Sequence, residues 1–236
     1  MKIALIGYGK MGQSIEEIAQ NRGHKIVCKT NQKPSPEEIK RADVAIEFSI
    51  PEAAFDNISV CIKNHIPVIS GTTGWLDRFE DVDSLVGKYH SKFLYASNFS
   101  IGVNLFFKLN SILAQMMKTQ KEYKVDIIEI KKKKKKDAPS GTAISLAEQI
   151  IEHTDYKSWS HPPKIKKNSD IPIKAFREKG IFGTHEISYR SEIDDIEIKH
   201  TAHNRKGFAL GAVLASEWIV NQKNHGCFSM NDVLNI

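Results

Sequence analysis

Short apolar runs alternate with stretches whose apolar residues recur every three or four positions. Lys2–Ile6 predicts a buried strand, and residues 11–21 a helix with Ile15 and Ile18 at packing intervals. Residues 25–28 predict a second strand, Pro34-Ser35-Pro36 an interruption, and 44–48 a third strand. Pro51 suits the first position of a helix that runs on over 52–63. A fourth strand over 67–70, a helix over 76–89 and a fifth strand over 92–96 continue the series. Strands that alternate with helices in this way call for a parallel sheet covered on both faces.

The pattern then changes. A long helix is predicted over 103–118, a strand over 125–130 and a helix over 143–151, followed by a polar loop around His161-Pro162-Pro163. Three strand-like segments follow at 171–176, 185–189 and 196–199 with no helices between them, which suggests a mixed or antiparallel sheet. The last helix, 208–220, is strongly apolar and is expected to return to the first sheet. The fold class expected is α/β: a Rossmann-type, parallel-sheet dinucleotide-binding domain plus an α+β substrate domain with a mixed sheet. The expected boundaries are 1–101, completed by 207–236, for the first domain and 102–206 for the second.

Chemistry enters at the first turn. Gly7-Tyr8-Gly9-Lys10-Met11-Gly12 is a G-x-G-x-x-G between the first strand and the first helix. In that context Gly7 permits the tight turn, Gly9 lets a pyrophosphate meet the backbone, and Gly12 lets helix and strand pack closely. The ribose reader should end the second strand, where acid favours NAD and base favours NADP. The residues there are Lys29, Thr30 and Asn31, so the reading leans to NADPH, with a solvated strand end as the plain alternative for Lys29. Gly71-Thr72-Thr73-Gly74 and Ala96-Ser97-Asn98-Phe99 follow strands four and five, at carboxyl ends, where such sheets bind ligands. They are placed to contact the nicotinamide end, or else are ordinary turns.

A second motif follows the strand over 125–130. Ser140 and Thr142 are good N-cap types, and Gly141 lets a ligand approach a helix N-terminus whose free N–H groups suit an anion. A small acidic metabolite is the expected guest.

Composition narrows the classes. The chain has 236 residues, 41% hydrophobic and 26% charged, as in an ordinary globular protein. The net charge of +6 comes chiefly from lysine and fits an acidic substrate or phosphate-bearing cofactor as well as it fits nucleic acid. Three widely spaced cysteines, Cys28, Cys61 and Cys227, indicate neither a disulfide framework nor a zinc site, and no His/Cys/Asp cluster has metal-ligand spacing. The first apolar run is too short for a signal peptide, and none approaches membrane-spanning length, so a cytoplasmic protein is expected.

Taken in order, several stretches resemble the dihydrodipicolinate reductase (4-hydroxy-tetrahydrodipicolinate reductase) family. They are Gly7 to Gly12, Glu47-Phe48-Ser49-Ile50-Pro51-Glu52, Gly71 to Gly74, Ser97-Asn98-Phe99-Ser100-Ile101-Gly102-Val103-Asn104, Asp137 to Ala143, Gly183-Thr184-His185 and Arg205 to Gly211. The resemblance implies NADH or NADPH as hydride donor, a small cyclic dicarboxylate as substrate, and a homotetramer built through the substrate domain. It also implies a place in lysine and diaminopimelate biosynthesis. By motif, Gly7 to Gly12 would hold the pyrophosphate, Gly71 to Thr73 and Ala96 to Phe99 would line the nicotinamide, and Ser140, Gly141 and Thr142 would grip a substrate carboxylate. Lys135 matches the family's catalytic lysine.

The chain departs from the family in one place. Where the family carries Glu-x-His-His, this sequence reads Glu129-Ile130-Lys131-Lys132, the start of a run of lysines through Lys136. The first family histidine is the proposed proton donor, and the second contacts substrate. In the same register Lys131 and Lys135 are the acid candidates, and Lys132 a substrate contact. Electron density left by hydride addition must be quenched by a proton, which histidine gives readily at neutral pH and lysine less so. The competing readings are an NAD(P)-binding oligomer with lost or weak catalysis, an anomalous lysine run, a nucleic-acid patch, and another dehydrogenase on a similar fold, such as an aspartate dehydrogenase. His185, His200 and His203 are read as structural or surface residues.

Overall fold

The computed structural model describes residues 1–132, 138–163, 167–204 and 206–236. The chain divides into two compact units, Met1–Asn104 with Lys206–Ile236, and Leu105–Arg205.

The first unit holds strands β1 (Lys2–Ile6), β2 (Lys25–Thr30), β3 (Val44–Glu47), β4 (Val68–Ser70) and β5 (Lys92–Tyr95), with α1 (Lys10–Asn21), α3 (Pro51–Lys63) and α4 (Phe79–Tyr89) between them. A short helix α2 (Pro36–Ile39) occupies the proline-rich interruption, capped by Ser35, with Glu38 closing a capping box. Four residues are too few for a hydrophobic period, so this helix leaves no pattern to read. The sheet is wholly parallel, in the order β11 (Gly226–Phe228), β5, β4, β3, β1, β2. Its edge strand β11 and the last helix α8 (Met230–Leu234) are too short to leave a pattern in the sequence.

The sheet is buried on both sides. On one face, Ile3, Leu5, Val44, Ile46 and Leu94 pack with Ile15 and Ala19 of α1 and with α7 (Lys206–Val220) through Ala209, Ala212, Val213 and Ile219. On the other, Ala4, Ile6, Ala45, Val68 and Phe93 pack with Ile58 and Ile62 of α3 and with Val82 and Val86 of α4. Burial on both faces is why these strands read as continuous apolar runs. The apolar α7 does return to this sheet.

The second unit has α5 (Ile101–Met117, shared with the first), β6 (Lys124–Lys132), α6 (Gly141–His153), β7 (Ser158–Ser160), β8 (Asp170–Glu178), β9 (Gly183–Arg190) and β10 (Asp195–Ala202). The sheet order is β10-β9-β6-β8-β7. β6 runs parallel to β8 and antiparallel to β9, so the sheet is mixed. One face packs on the helices through Val125, Ile127, Ile173, Ile187 and Tyr189 against Leu146, Ala147 and Ile150. β7 is three residues long and gave no alternation to read.

Candidate functional site

In the first unit, the glycine-rich turn is shaped by steric necessity. Gly7 has φ +90°, and a Cβ there would lie 2.0 Å from the carbonyl oxygen of Phe48. A Cβ on Gly12 would lie 2.6 Å from the carbonyl oxygen of Gly7. Gly9, at the N-cap of α1, has open space where its Cβ would be, and no side chain caps the helix. A bare helix N-terminus with an uncovered glycine fits a pyrophosphate. Gly7 N–H donates to Thr30 O at 2.8 Å, and Tyr8 N–H to Asn31 Oδ1 at 2.6 Å, which ties the turn to the end of β2.

Lys29 is not a free cation at that strand end. Its ammonium lies 3.1 Å from Glu16 of α1 and 4.9 Å from the Tyr8 ring centroid, and the Tyr8 hydroxyl also donates to Glu16. The Tyr8 hydrogen bond, aided by Lys29, lowers the Glu16 pKa, and Glu16 in turn raises that of Lys29. The acid absent from the end of β2 in the sequence is thus brought there by α1. Lys10 is exposed, and Met11 packs on the core.

The loops after β3, β4 and β5 converge. Glu47 is fully buried and accepts hydrogen bonds from Ser49, Ser70 and Thr72. The ring of Phe48 fills the space beside Gly71, where a Cβ would come within 2.2 Å of it, and lies 5.5 Å from the ring of Phe99. Thr72 and Phe99 are therefore turned inward, whereas Thr73 and Ser97 are exposed. Asn98 holds its own turn, accepting from Ser100 N–H at 2.9 Å through Oδ1. A Cβ on Gly211 of α7 would overlap the Phe99 carbonyl, so that helix glycine admits the loop after β5.

In the second unit, the inward row of β6 runs Val125, Ile127, Glu129, Lys131, by the alternation of a strand. Glu129 is fully buried. It accepts from Ser140 N–H at 3.2 Å and from the Ser140 hydroxyl, and lies 3.2 Å from Arg177 Nη1 and 3.5 Å from His185 Nε2. Register sets His185 beside Glu129 and His200 beside His185, with Lys131 opposite Arg177. The Lys131 ammonium lies over Gly183, 2.8 Å from where a Cβ would be. Burial alone would raise the Glu129 pKa, but His185 and the Ser140 hydrogen bonds pull it down to about 2. Burial lowers the pKa of His185, and Lys131 adds to that against the pull of Glu129. Burial lowers the pKa of His200, and neighbouring His185 and Lys131 add to that.

Ser140 stands at the N-cap of α6 but caps nothing, because its hydroxyl is given to Glu129. The donors left for a carboxylate at that helix start are Gly141 and Thr142, and Gly141 faces open space. Lys131, the acid candidate, and Lys132, the expected substrate contact, alternate to opposite faces of β6. Lys135 lies outside the described residues. Glu129 and Arg177 carry no motif in the sequence, and His185 reads there as structural. The available signal was a lone carboxylate at an inward position of an apolar strand, where a charge needs partners. Among the described residues, no group of three or more His, Cys, Asp or Glu side chains could hold a metal ion.

Residues 1–99 match the family model described as dihydrodipicolinate reductase, N-terminus, and residues 102–234 match that described as dihydrodipicolinate reductase, C-terminus. The chain belongs to the dihydrodipicolinate reductase family. Within it, a 4-hydroxy-tetrahydrodipicolinate reductase from Christiangramia forsetii is 52% identical, over 99% of this chain and 98% of the relative. One of the same name from Buchnera aphidicola is 34% identical, over 92% and 82%. A dipicolinate-bound dihydrodipicolinate reductase from Paenisporosarcina sp. TG-14 superposes with a TM-score of 0.81, at 23% identity and over 97% of each chain, a likeness of fold. An amine dehydrogenase from Mycobacterium smegmatis shares the fold more distantly, with a TM-score of 0.64 at 8% identity, over 96% and 94%. As a dihydrodipicolinate reductase family member, the chain has a Rossmann-type sheet and a mixed sheet, and uses NADH or NADPH.

Proposed function

We infer that this protein reduces 4-hydroxy-tetrahydrodipicolinate to tetrahydrodipicolinate with NADH or NADPH, in lysine and diaminopimelate biosynthesis. The reaction removes the ring hydroxyl as water and adds hydride. Family membership over nearly the whole chain supports the reaction. The site assignment is supported by one observation: the inward row of β6 carries Lys131 next to Glu129, and Glu129 takes the hydrogen bonds of Ser140 at the start of α6.

NAD(P)H supplies the hydride when bound. Gly7 to Gly12 present backbone N–H groups to the pyrophosphate, with Gly9 giving closest access. The exposed parts of the Gly71–Thr73 and Ala96–Phe99 loops receive the nicotinamide end. Gly141 and Thr142 hold a substrate carboxylate at the start of α6, and Ser140 is positioned through Glu129. Lys131, on the same face as Ser140's partner Glu129, gives the proton to the electron-rich ring after hydride addition. Lys132, on the opposite face, takes no part in that step. The small dicarboxylate substrate matches the cationic surroundings of Lys131 and Arg177. We place the enzyme in the cytoplasm as a homotetramer.

The test follows NADH and NADPH absorbance loss with freshly generated 4-hydroxy-tetrahydrodipicolinate. The expected result is turnover by the unaltered chain, and a drop in kcat of ~100-fold or more in Lys131→Met with the dinucleotide Kd unchanged. Dinucleotide binding without turnover in the unaltered chain would instead support the non-catalytic reading. Wild-type turnover in Lys131→Met would remove Lys131 as the acid.

A further inference from the structure

Glu47 ends β3 with its side chain fully buried, where a carboxylate is costly unless hydrogen-bonded. Oε1 accepts from Ser49 N–H at 3.0 Å, from Thr72 Oγ1 at 3.0 Å and from the Ser49 hydroxyl. Oε2 accepts from Ser70 Oγ at 2.6 Å. Asn57 of α3 steadies Ser49, donating to its Oγ at 3.2 Å. All of these partners are neutral groups with a hydrogen to give, so the buried carboxylate oxygens are compensated by donors and not by a cation. Among the described residues, Glu47 forms no ion pair.

The donors come from the end of β4 and from the loops after β3 and β4. The next residue, Phe48, sets its carbonyl against Gly7 and its ring against Gly71. Three loops at the carboxyl end of the parallel sheet therefore meet at Glu47 and Phe48, and that end is where such sheets bind ligands. A nicotinamide ring becomes cationic when it gives up hydride. A buried carboxylate without a counter-cation favours a cationic ring, because a low-dielectric interior screens it weakly.

We propose that Glu47 is a positioning residue of the cofactor site, whose carboxylate ties the loops after β3 and β4 together and whose charge makes the site favour the oxidised over the reduced nicotinamide. This rests on the cofactor reading above. A merely structural Glu47 would move the affinities for both redox forms together.

The experiment measures equilibrium binding of NAD⁺, NADH, NADP⁺ and NADPH by titration calorimetry to the full chain and its variants. In Glu47→Gln, the ratio of oxidised to reduced Kd should rise about tenfold, which is ~1.4 kcal/mol. Glu47→Asp, which keeps the charge, should weaken both forms and leave the ratio within about twofold. Equal weakening of both forms in Glu47→Gln, or none, overturns the proposal. Should Glu47→Gln fail to fold by circular dichroism, Ser70→Ala decides the matter. It removes the 2.6 Å donor and leaves the charge less compensated, so the ratio should shift about threefold toward the oxidised form. An unchanged ratio there overturns the proposal. If the unaltered chain binds neither cofactor, the cofactor reading itself has failed; if it binds both, only the role of Glu47 is at stake.

Discussion

Replacing Glu129 by Gln keeps the shape of the side chain and removes its charge. The carboxylate sits among Arg177 at 3.2 Å, His185 at 3.5 Å and the Ser140 N–H at 3.2 Å. Burial opposes the charge, yet His185 and the Ser140 hydrogen bonds hold the pKa down to about 2 from an ordinary 4.5. A carboxyl held low stabilises the fold at pH values above its unfolded-state pKa, and that stability is lost as pH falls from 4.5 toward 2. At ~1.36 kcal/mol for each tenfold change in proton affinity, the gap amounts to ~3.4 kcal/mol. His185, whose own pKa burial lowers, carries less charge near neutrality, which reduces the figure to about 2 kcal/mol. Glu129→Gln is therefore expected to destabilise the protein by about 2 kcal/mol near pH 7, and the difference should shrink as pH falls below 4.5 and vanish only below about 2. Urea denaturation of both proteins, followed by circular dichroism at a series of pH values, measures this directly. A difference below ~0.5 kcal/mol near neutrality, or one that does not change on acidification, would refute the reasoning.

The two loop glycines should separate fold from function. Gly7→Ala meets the Phe48 carbonyl and a φ that costs an L-residue ~1–2 kcal/mol before any clash, so thermal melts should show a loss of about 3 kcal/mol or more. Gly9→Ala has room for its methyl group and should change stability by less than ~1 kcal/mol while weakening NAD(P)H about tenfold in binding titrations. Unchanged affinity would mean the pyrophosphate does not approach Gly9. Burial raises the pKa of Cys28 and Cys61, and burial with Asp83 pushes Cys227 up to about 12. A thiol reagent near pH ~8 should thus label the native protein slowly and all three cysteines quickly after unfolding. Rapid labelling of the native chain would contradict the packing around them.

Local pattern carried most of the fold. The apolar runs of the first unit are buried on both sheet faces, so each run is a strand and its neighbour a helix whatever the rest of the chain does. The G-x-G-x-x-G turn was legible for the same reason: its glycines answer contacts made within one strand–turn–helix unit and against Phe48. What local pattern could not reach was pairing between distant segments. Lys29 at the end of β2 reads as a free cation until α1 brings Glu16 to it. Ser140 reads as a helix cap until β6 sets Glu129 beneath it and claims its hydroxyl. Lys131 and Lys132 look equivalent as neighbours in sequence, and only the strand over Lys124–Lys132 turns one toward Glu129's row and the other away. Short elements such as α2, β7 and β11 exist because longer ones offer them a place to pair, which no three- or four-residue stretch can state alone. The sequence by itself determined which segments could be strand, helix or ligand turn, because those depend on near neighbours. The tertiary structure decided which charges were paired and which donors remained for a ligand, because a buried charge takes its partners from wherever the fold brings them.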